Sequence, residues 1–304
     1  MALAAIMCLA TARAAAQQHS GQFEYPTVPD SLHTPTERAE YVLAHYWDNF
    51  CFADTTLMHQ PEITEQGFAN FVDLLPRVAP ATAATGIKAL ADRLYATDSL
   101  GATASMREYF ESLADKYLGQ DDSPLHNDML YAQFLDVMGA NKYASVAERT
   151  RNSYMARNLR KNLPGTVAAD FEFVDRHGAH SRLSSFGAQY TVLLFYDPYC
   201  DRCHSMASQM ASMPLLAQGS QFRVLAVYAY DEADRWREAA NSFPASWTDA
   251  YSPDGYITAH DIYYIKQMPS VYLLDSDKRV LLKNPDFKLL SETVLSLAGQ
   301  QAEK

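Results

Sequence analysis

The chain has 304 residues, 48% of them hydrophobic and 20% charged, with a formal net charge of −11. That length allows about two domains of ~100–200 residues each, with the composition of a globular protein. The acidic balance argues against nucleic-acid binding, whose affinity comes from Lys and Arg neutralising phosphates; outside the extreme N-terminus no apolar run reaches the ~18 residues of a membrane-spanning helix.

The chain begins MALAAIMCLATARAAAQQ. A short apolar run, then Ala14-Ala15-Ala16 before Gln17, has the pattern of a secretory signal peptide cleaved after Ala16. No Lys or Arg precedes the run, which leaves two other readings: a start upstream of Met1, or an ordinary helix. Cys8 lacks the small neighbour expected beside a lipidated cysteine. Cleavage would remove Cys8 and leave Cys51, Cys200 and Cys203. A close pair plus a single thiol is a redox usage rather than a structural disulfide framework. The expected location is the periplasm or outside the cell.

From Thr34 to about Lys161 the apolar residues recur with a helical period. Thr34 stands three residues before Glu37 with Pro35 between, a capping box with proline at the first helical position. Tyr41, Val42, Leu43, His45, Tyr46, Trp47 and Phe50 include the spacing of a buried face. Five further helical stretches follow, at 64–75, 82–97, 104–118, 124–138 and 145–162, with breaks at Pro76, Pro80, Ser99–Gly101, Gly119–Pro124 and Gly139. About six helices joined by short turns make an all-α helical bundle.

Asn162-Leu163-Pro164-Gly165 breaks the period, so the domains are expected at 17–161 (helical) and 162–304 (α/β), after a signal segment at 1–16. Strand patterns appear at 170–174 and 179–183 around a turn. The apolar run YTVLLFY, residues 190–196, reads as a central strand buried on both faces. Then come a helix at 200–213, a strand at 222–230, a helix at 231–243, a short helix at 256–265, a strand-turn-strand hairpin in SVYLLDSDKRVLLKN and a closing helix at 289–301. Strands alternating with helices indicate a central mixed sheet flanked by helices.

Cys200-Asp201-Arg202-Cys203-His204 is C-x-x-C-H, which marks either c-type haem attachment or a redox dithiol followed by a histidine. Cys200 stands where the buried strand ends and a helix begins. The first helical turn has unpaired N–H groups and the positive end of the dipole, so a thiolate there is stabilised and nucleophilic near neutral pH. Cys203 lies one turn on, within reach of a mixed disulfide at Cys200, and is expected to be partly covered where Cys200 is exposed. Haem would place His204 on iron. Zinc wants four ligands at paired spacings, and there is no second cysteine pair. The placement after a buried strand favours the dithiol, with no cofactor beyond the Cys200–Cys203 disulfide and no metal.

Met268-Pro269 stands immediately before a strand, where a proline without an N–H is tolerated. Held cis in a tight turn, it would bring its backbone beside the cysteines. Together these features resemble the thioredoxin fold, in particular the TlpA/ResA-like branch of exported thiol-disulfide oxidoreductases, from about Leu163 to the C-terminus. The resemblance implies Cys200 as nucleophile, Cys203 as resolving thiol, and Pro269 as a cis-proline lining a substrate groove with Met268 and Tyr199. It also implies periplasmic protein disulfides as substrates, a membrane or periplasmic thiol donor, and reduction as the direction. The segment ERAEYVLAHYWDNFCFADT is similar to a helical domain of unknown function that precedes thioredoxin-like domains in Bacteroides-type bacteria.

The sequence departs from that pattern at Arg202, where relatives often carry proline, and at Leu194, where thioredoxins carry a buried acid. Asp201 opposes a Cys200 thiolate, while Arg202 and His204 favour it. A peroxiredoxin needs Thr three residues before the reactive cysteine, and here it is Asp197. Two further readings remain: an oxidase or isomerase, and a non-catalytic binding or scaffold protein that uses its helical domain. Cys51 reads as a small packed hydrophobe. His45, Asp48, Asp54 and His59 read as packing and solvated charge rather than a metal site. Arg149, Arg157, Arg160 and Lys161 read as cations complementing the end of their helix.

Overall fold

The computed structural model describes residues 22–98, 105–239 and 243–302. The expected signal segment, with Cys8 and Ala14–Ala16, lies outside them, as does the break at Ser99–Gly101. The chain divides into two compact units, Met1–Leu159 and Arg160–Lys304.

The described part of the first unit contains six α-helices: α1 (Pro35–His45), α2 (Thr64–Leu74), α3 (Pro80–Asp98), α4 (Ser105–Ala114), α5 (Asp128–Ala140) and α6 (Val146–Leu159). The expected capping box starts α1: Thr34 Oγ1 accepts the Glu37 N–H at 3.2 Å, and Glu37 Oε2 accepts the Thr34 N–H at 3.1 Å. Ser145 and Glu148 repeat the arrangement at α6, at 3.2 and 2.7 Å. Each box satisfies N–H groups that a helix start leaves without partners.

Leu43, Tyr46, Trp47 and Phe50 are buried, while Tyr41, Val42 and His45 are half-buried. Trp47 is packed by Phe23, Phe50, Phe71 and Phe110 at ring-centroid distances of 5.3–5.6 Å. Gly67 lies under the Phe23 ring, where a Cβ would collide with it, and the Gly67 carbonyl accepts the Tyr46 hydroxyl at 2.8 Å. Two expectations need correction. Gly139 lies inside α5 rather than at a break. Arg149 sits near the start of α6, and its guanidinium donates to the carbonyls of Ala144, Asn141 and Lys142 at 3.0, 3.2 and 3.3 Å. It therefore holds the α5–α6 connection, from the C-cap Asn141 to Ala144, rather than the end of its own helix. Arg157 stacks on Tyr154, and Arg160 and Lys161 follow the end of α6.

The second unit is built on a seven-stranded mixed sheet. Its strands are β1 (Glu172–Asp175), β2 (His180–Arg182), β3 (Tyr190–Tyr196), β4 (Phe222–Tyr228), β5 (Thr248–Tyr251), β6 (Ser270–Leu274) and β7 (Val280–Lys283), in the order β2-β1-β5-β4-β3-β6-β7. β3 runs parallel to β4 and antiparallel to β6. The helices are α7 (Asp201–Ala211), α8 (Pro214–Ala217), α9 (Ala233–Glu238), α10 (Tyr256–Ala259) and α11 (Phe287–Ala302). Alternation along β3 feeds both faces: Val192, Leu194 and Tyr196 pack with Cys203 and Met210 of α7 and Leu290 of α11, while Leu193 and Phe195 pack with Phe171 and Tyr263. That two-sided burial explains the unbroken apolar run.

Sequence reading misses β5 and α8. β5 is only Thr-Asp-Ala-Tyr, without a strand-like period; parallel pairing with β4 and antiparallel pairing with β1 hold it in the sheet. The expected helix at 256–265 ends at Ala259, with Asp261 at φ 49°.

Candidate active site

β3 stops at Tyr196, a four-residue turn follows, and α7 starts at Asp201. Cys200 is the N-cap of α7, and its Sγ accepts the Cys203 N–H at 3.2 Å. The thiol thus takes the place that Ser or Asp fills at an ordinary helix start, and faces the unpaired N–H groups of the first turn. Opposite it, the Met268 carbonyl lies 3.9 Å from Cys200 Sγ, and the Met268–Pro269 peptide is cis. The sheet causes this approach: Phe195 near the end of β3 pairs with Ser270 at the start of β6, which brings the loop before β6 beside the cysteine turn.

The two thiols differ in environment. Cys200 is half-buried rather than exposed, and Cys203 is 2% exposed. Burial first, then the hydrogen bond with Cys200, push the Cys203 thiol up to about 12. Cys203 therefore stays protonated at neutral pH.

Tyr199 is 59% exposed beside Cys200, and Met268 and Pro269 are half-buried. Arg202 Nη1 donates to Gln267 Oε1 at 3.3 Å, towards the Met268 loop. His204 Nε2 donates to the Pro198 carbonyl at 2.8 Å, so the nitrogen that a haem reading would put on iron holds the turn instead. Leu194 is fully buried in the core, so the position of the thioredoxin acid is apolar in three dimensions as well.

Sequence reading gave no role to three neighbours of the pair. The Asp197 carbonyl accepts the Cys200 N–H at 3.1 Å, and its Oδ1 accepts the Tyr199 N–H at 2.8 Å. The Asp-Pro dipeptide of the turn was the available signal. Arg235 reaches from α9 to both Asp197 oxygens, at 3.4 and 3.3 Å. Tyr230, just past β4, has its hydroxyl pushed up by burial and then by the charges of Asp197, Cys203 and Cys200. Nothing local in the sequence ties Arg235 or Tyr230 to residues some thirty positions away.

In the first unit His45 Nδ1 meets Asp48 Oδ2 at 2.7 Å, Asp54 caps the turn at Thr56, and Cys51 is half-buried. Among the described residues, no group of three or more His, Cys, Asp or Glu side chains is arranged to hold a metal ion.

Residues 8–162 match the family model described as Domain of unknown function (DUF5106). No curated protein matches the chain. Among solved structures, a thioredoxin-like protein from Bacteroides caccae is 32% identical, covering 92% of this chain and 99% of its own, with a TM-score of 0.74. A conserved protein of unknown function from Bacteroides fragilis is 36% identical, covering 43% of this chain and 98% of its own, with a TM-score of 0.42. The thioredoxin domain of a thiol-disulfide oxidoreductase from Bacteroides vulgatus is 17% identical, covering 43% and 98%, with a TM-score of 0.39.

Proposed function

Since the chain belongs to the DUF5106 family and continues into a thioredoxin-like domain, we propose that it is an exported thiol-disulfide oxidoreductase that reduces protein disulfides, in the manner of the TlpA/ResA-like branch. The observation that carries the reading is Cys200 at the N-cap of α7, accepting the Cys203 N–H and facing the Met268 carbonyl. In the reaction, Cys200 thiolate attacks one sulfur of a substrate disulfide. The substrate S–S bond breaks, and the departing thiolate takes a proton. Cys203 loses its proton and attacks Cys200 Sγ, which frees the second substrate thiol and leaves the Cys200–Cys203 disulfide. Two electrons have passed to the substrate, and a thiol donor of the membrane or periplasm must return them. No metal or organic cofactor takes part. Tyr199, Met268 and Pro269 border the thiol where an extended substrate segment would lie.

The test is turnover of insulin disulfides with dithiothreitol as donor. Cys200→Ser should lose activity by on the order of a thousand-fold or more, and Cys203→Ala should accumulate mixed disulfides. Equal turnover by Cys200→Ser would end the reading. A reduction potential of the pair near or below roughly −250 mV supports reduction, and one nearer roughly −120 to −180 mV would make the protein an oxidant or isomerase instead.

A further inference from the structure

The turn carrying Cys200 is held from outside its own strand and helix. Asp197 makes two contacts within it: its carbonyl takes the Cys200 N–H at 3.1 Å and its carboxylate the Tyr199 N–H at 2.8 Å. Arg235 grips that carboxylate through both oxygens and lays its guanidinium over the Tyr199 ring, 4.8 Å from the centroid. It also meets Glu232 Oε2 at 3.5 Å, and Glu232 accepts the Tyr228 hydroxyl at 2.7 Å from the end of β4.

Arg235 is itself fixed by its neighbour. Trp236 is 2% exposed, and its indole N–H donates to the Tyr196 hydroxyl and to Asp249 Oδ1, at 3.1 and 3.0 Å. Arg176 binds the Trp236 and Ala239 carbonyls, both at 3.1 Å. The short helix α9 is thus pinned to the ends of β3 and β5, with Arg235 pointing at the cysteine turn.

We propose that Arg235 is a positioning residue for the dithiol that acts by charge: paired with Asp197, it neutralises a carboxylate that would otherwise oppose thiolate formation at the pair. This rests on the oxidoreductase reading for its purpose, but not for its test. Burial and the Cys200 hydrogen bond raise the Cys203 thiol most; the Asp197 main chain lowers it, and the Asp197 charge adds the smallest upward push. Asp197 from the turn and Tyr230 past the end of β4 act on the pair; Arg235, Glu232 and Tyr228 form a chain of contacts behind Asp197, and Asp201, Arg202 and His204 adjoin the cysteines on α7. From the loop before β6 the group facing Cys200 is a main-chain carbonyl, that of Met268. Arg235 is the cation that binds Asp197 directly, so its removal leaves that negative charge without its ion pair.

The experiment measures alkylation of Cys200 by iodoacetamide against pH in the reduced full chain, read at the peptide so that Cys51 and Cys203 do not interfere. It needs no substrate, so it stays readable if insulin turnover fails. Arg235→Ala should move the midpoint upward by roughly half a pH unit, slowing alkylation about three-fold at neutral pH. Arg235→Lys should fall between, since it keeps the charge but loses the second nitrogen that meets Glu232 and the plane that stacks on Tyr199. Adding Asp197→Asn to Arg235→Ala should bring the midpoint back, because the charge needing neutralisation is gone. A purely structural Arg235 would leave the midpoint in place, or shift it without rescue by Asp197→Asn; either result overturns the proposal.

Discussion

The two units use their polar side chains in different ways. In the helical unit they close on one another. Glu111 pairs with Arg107 and Arg151 at 2.9 and 3.3 Å, and Asp115 takes the Tyr131 hydroxyl and the Gln120 amide at 3.1 and 2.6 Å. Glu111, Asp115, Tyr131 and Arg151 border a cavity of about 230 Å³, yet its two acids are already satisfied within the fold. In the thioredoxin-like unit the polar groups gather at the ends of β3 and β4 and before β6, around two thiols left free. Strands far apart in sequence end side by side, so one end of the sheet collects reactive groups that neighbouring helical turns would spread out. Chemistry should therefore be sought in the second unit, while substitutions in the first should act on stability.

Truncation tests that contrast directly. Trp47→Ala removes the centre of the aromatic cluster and should cost about 3–5 kcal/mol, read by hydrogen exchange across residues 35–114. Leu194→Ala should cost about 2–5 kcal/mol in the sheet and have a second effect as well. Leu194 shares its core with Cys203, so opening that space lets water approach and lowers the thiol from about 12. Alkylation of Cys203 against pH would show a lower midpoint; no change would mean that the burial of this thiol does not depend on Leu194.

A smaller effect in the helical unit depends on pH. Burial alone would raise the Glu148 carboxyl, but the Ser145 hydroxyl and N–H and then Arg107 hold it below its usual range. A depressed carboxyl contributes stability above its unfolded value near 4.5, and that contribution is lost as pH falls through the folded value. Glu148→Gln should flatten the acid limb of the helical unit's stability, measured by denaturant melts between pH ~5 and ~2. An unchanged slope would show that the Ser145–Glu148–Arg107 ties contribute nothing to acid stability.

Much of the fold was legible because it follows from local periods. The Thr34–Glu37 box, the six helical stretches and the two-sided run at 190–196 each follow from residues a few positions apart. The cysteine pair at a strand–helix junction was legible for the same reason, since a single decapeptide carries it. Arg149 misled because its helical position near the N-terminus of α6 says nothing about the carbonyls of the α5–α6 connection that it reaches. β5 was missed because Asp249 breaks its pattern, and its carboxylate is placed by Tyr196, Trp236 and Arg176 rather than by solvent.

The order of helices and strands and the identity of the two thiols follow from the residues alone, because helix and strand periods, capping and C-x-x-C spacing are all set within about one turn or one strand. The depth of Cys203, the approach of the Met268 carbonyl and the grip of Arg235 on Asp197 arise only in the folded chain. Burial and long-range hydrogen bonds depend on which strand ends meet, and no local pattern records that.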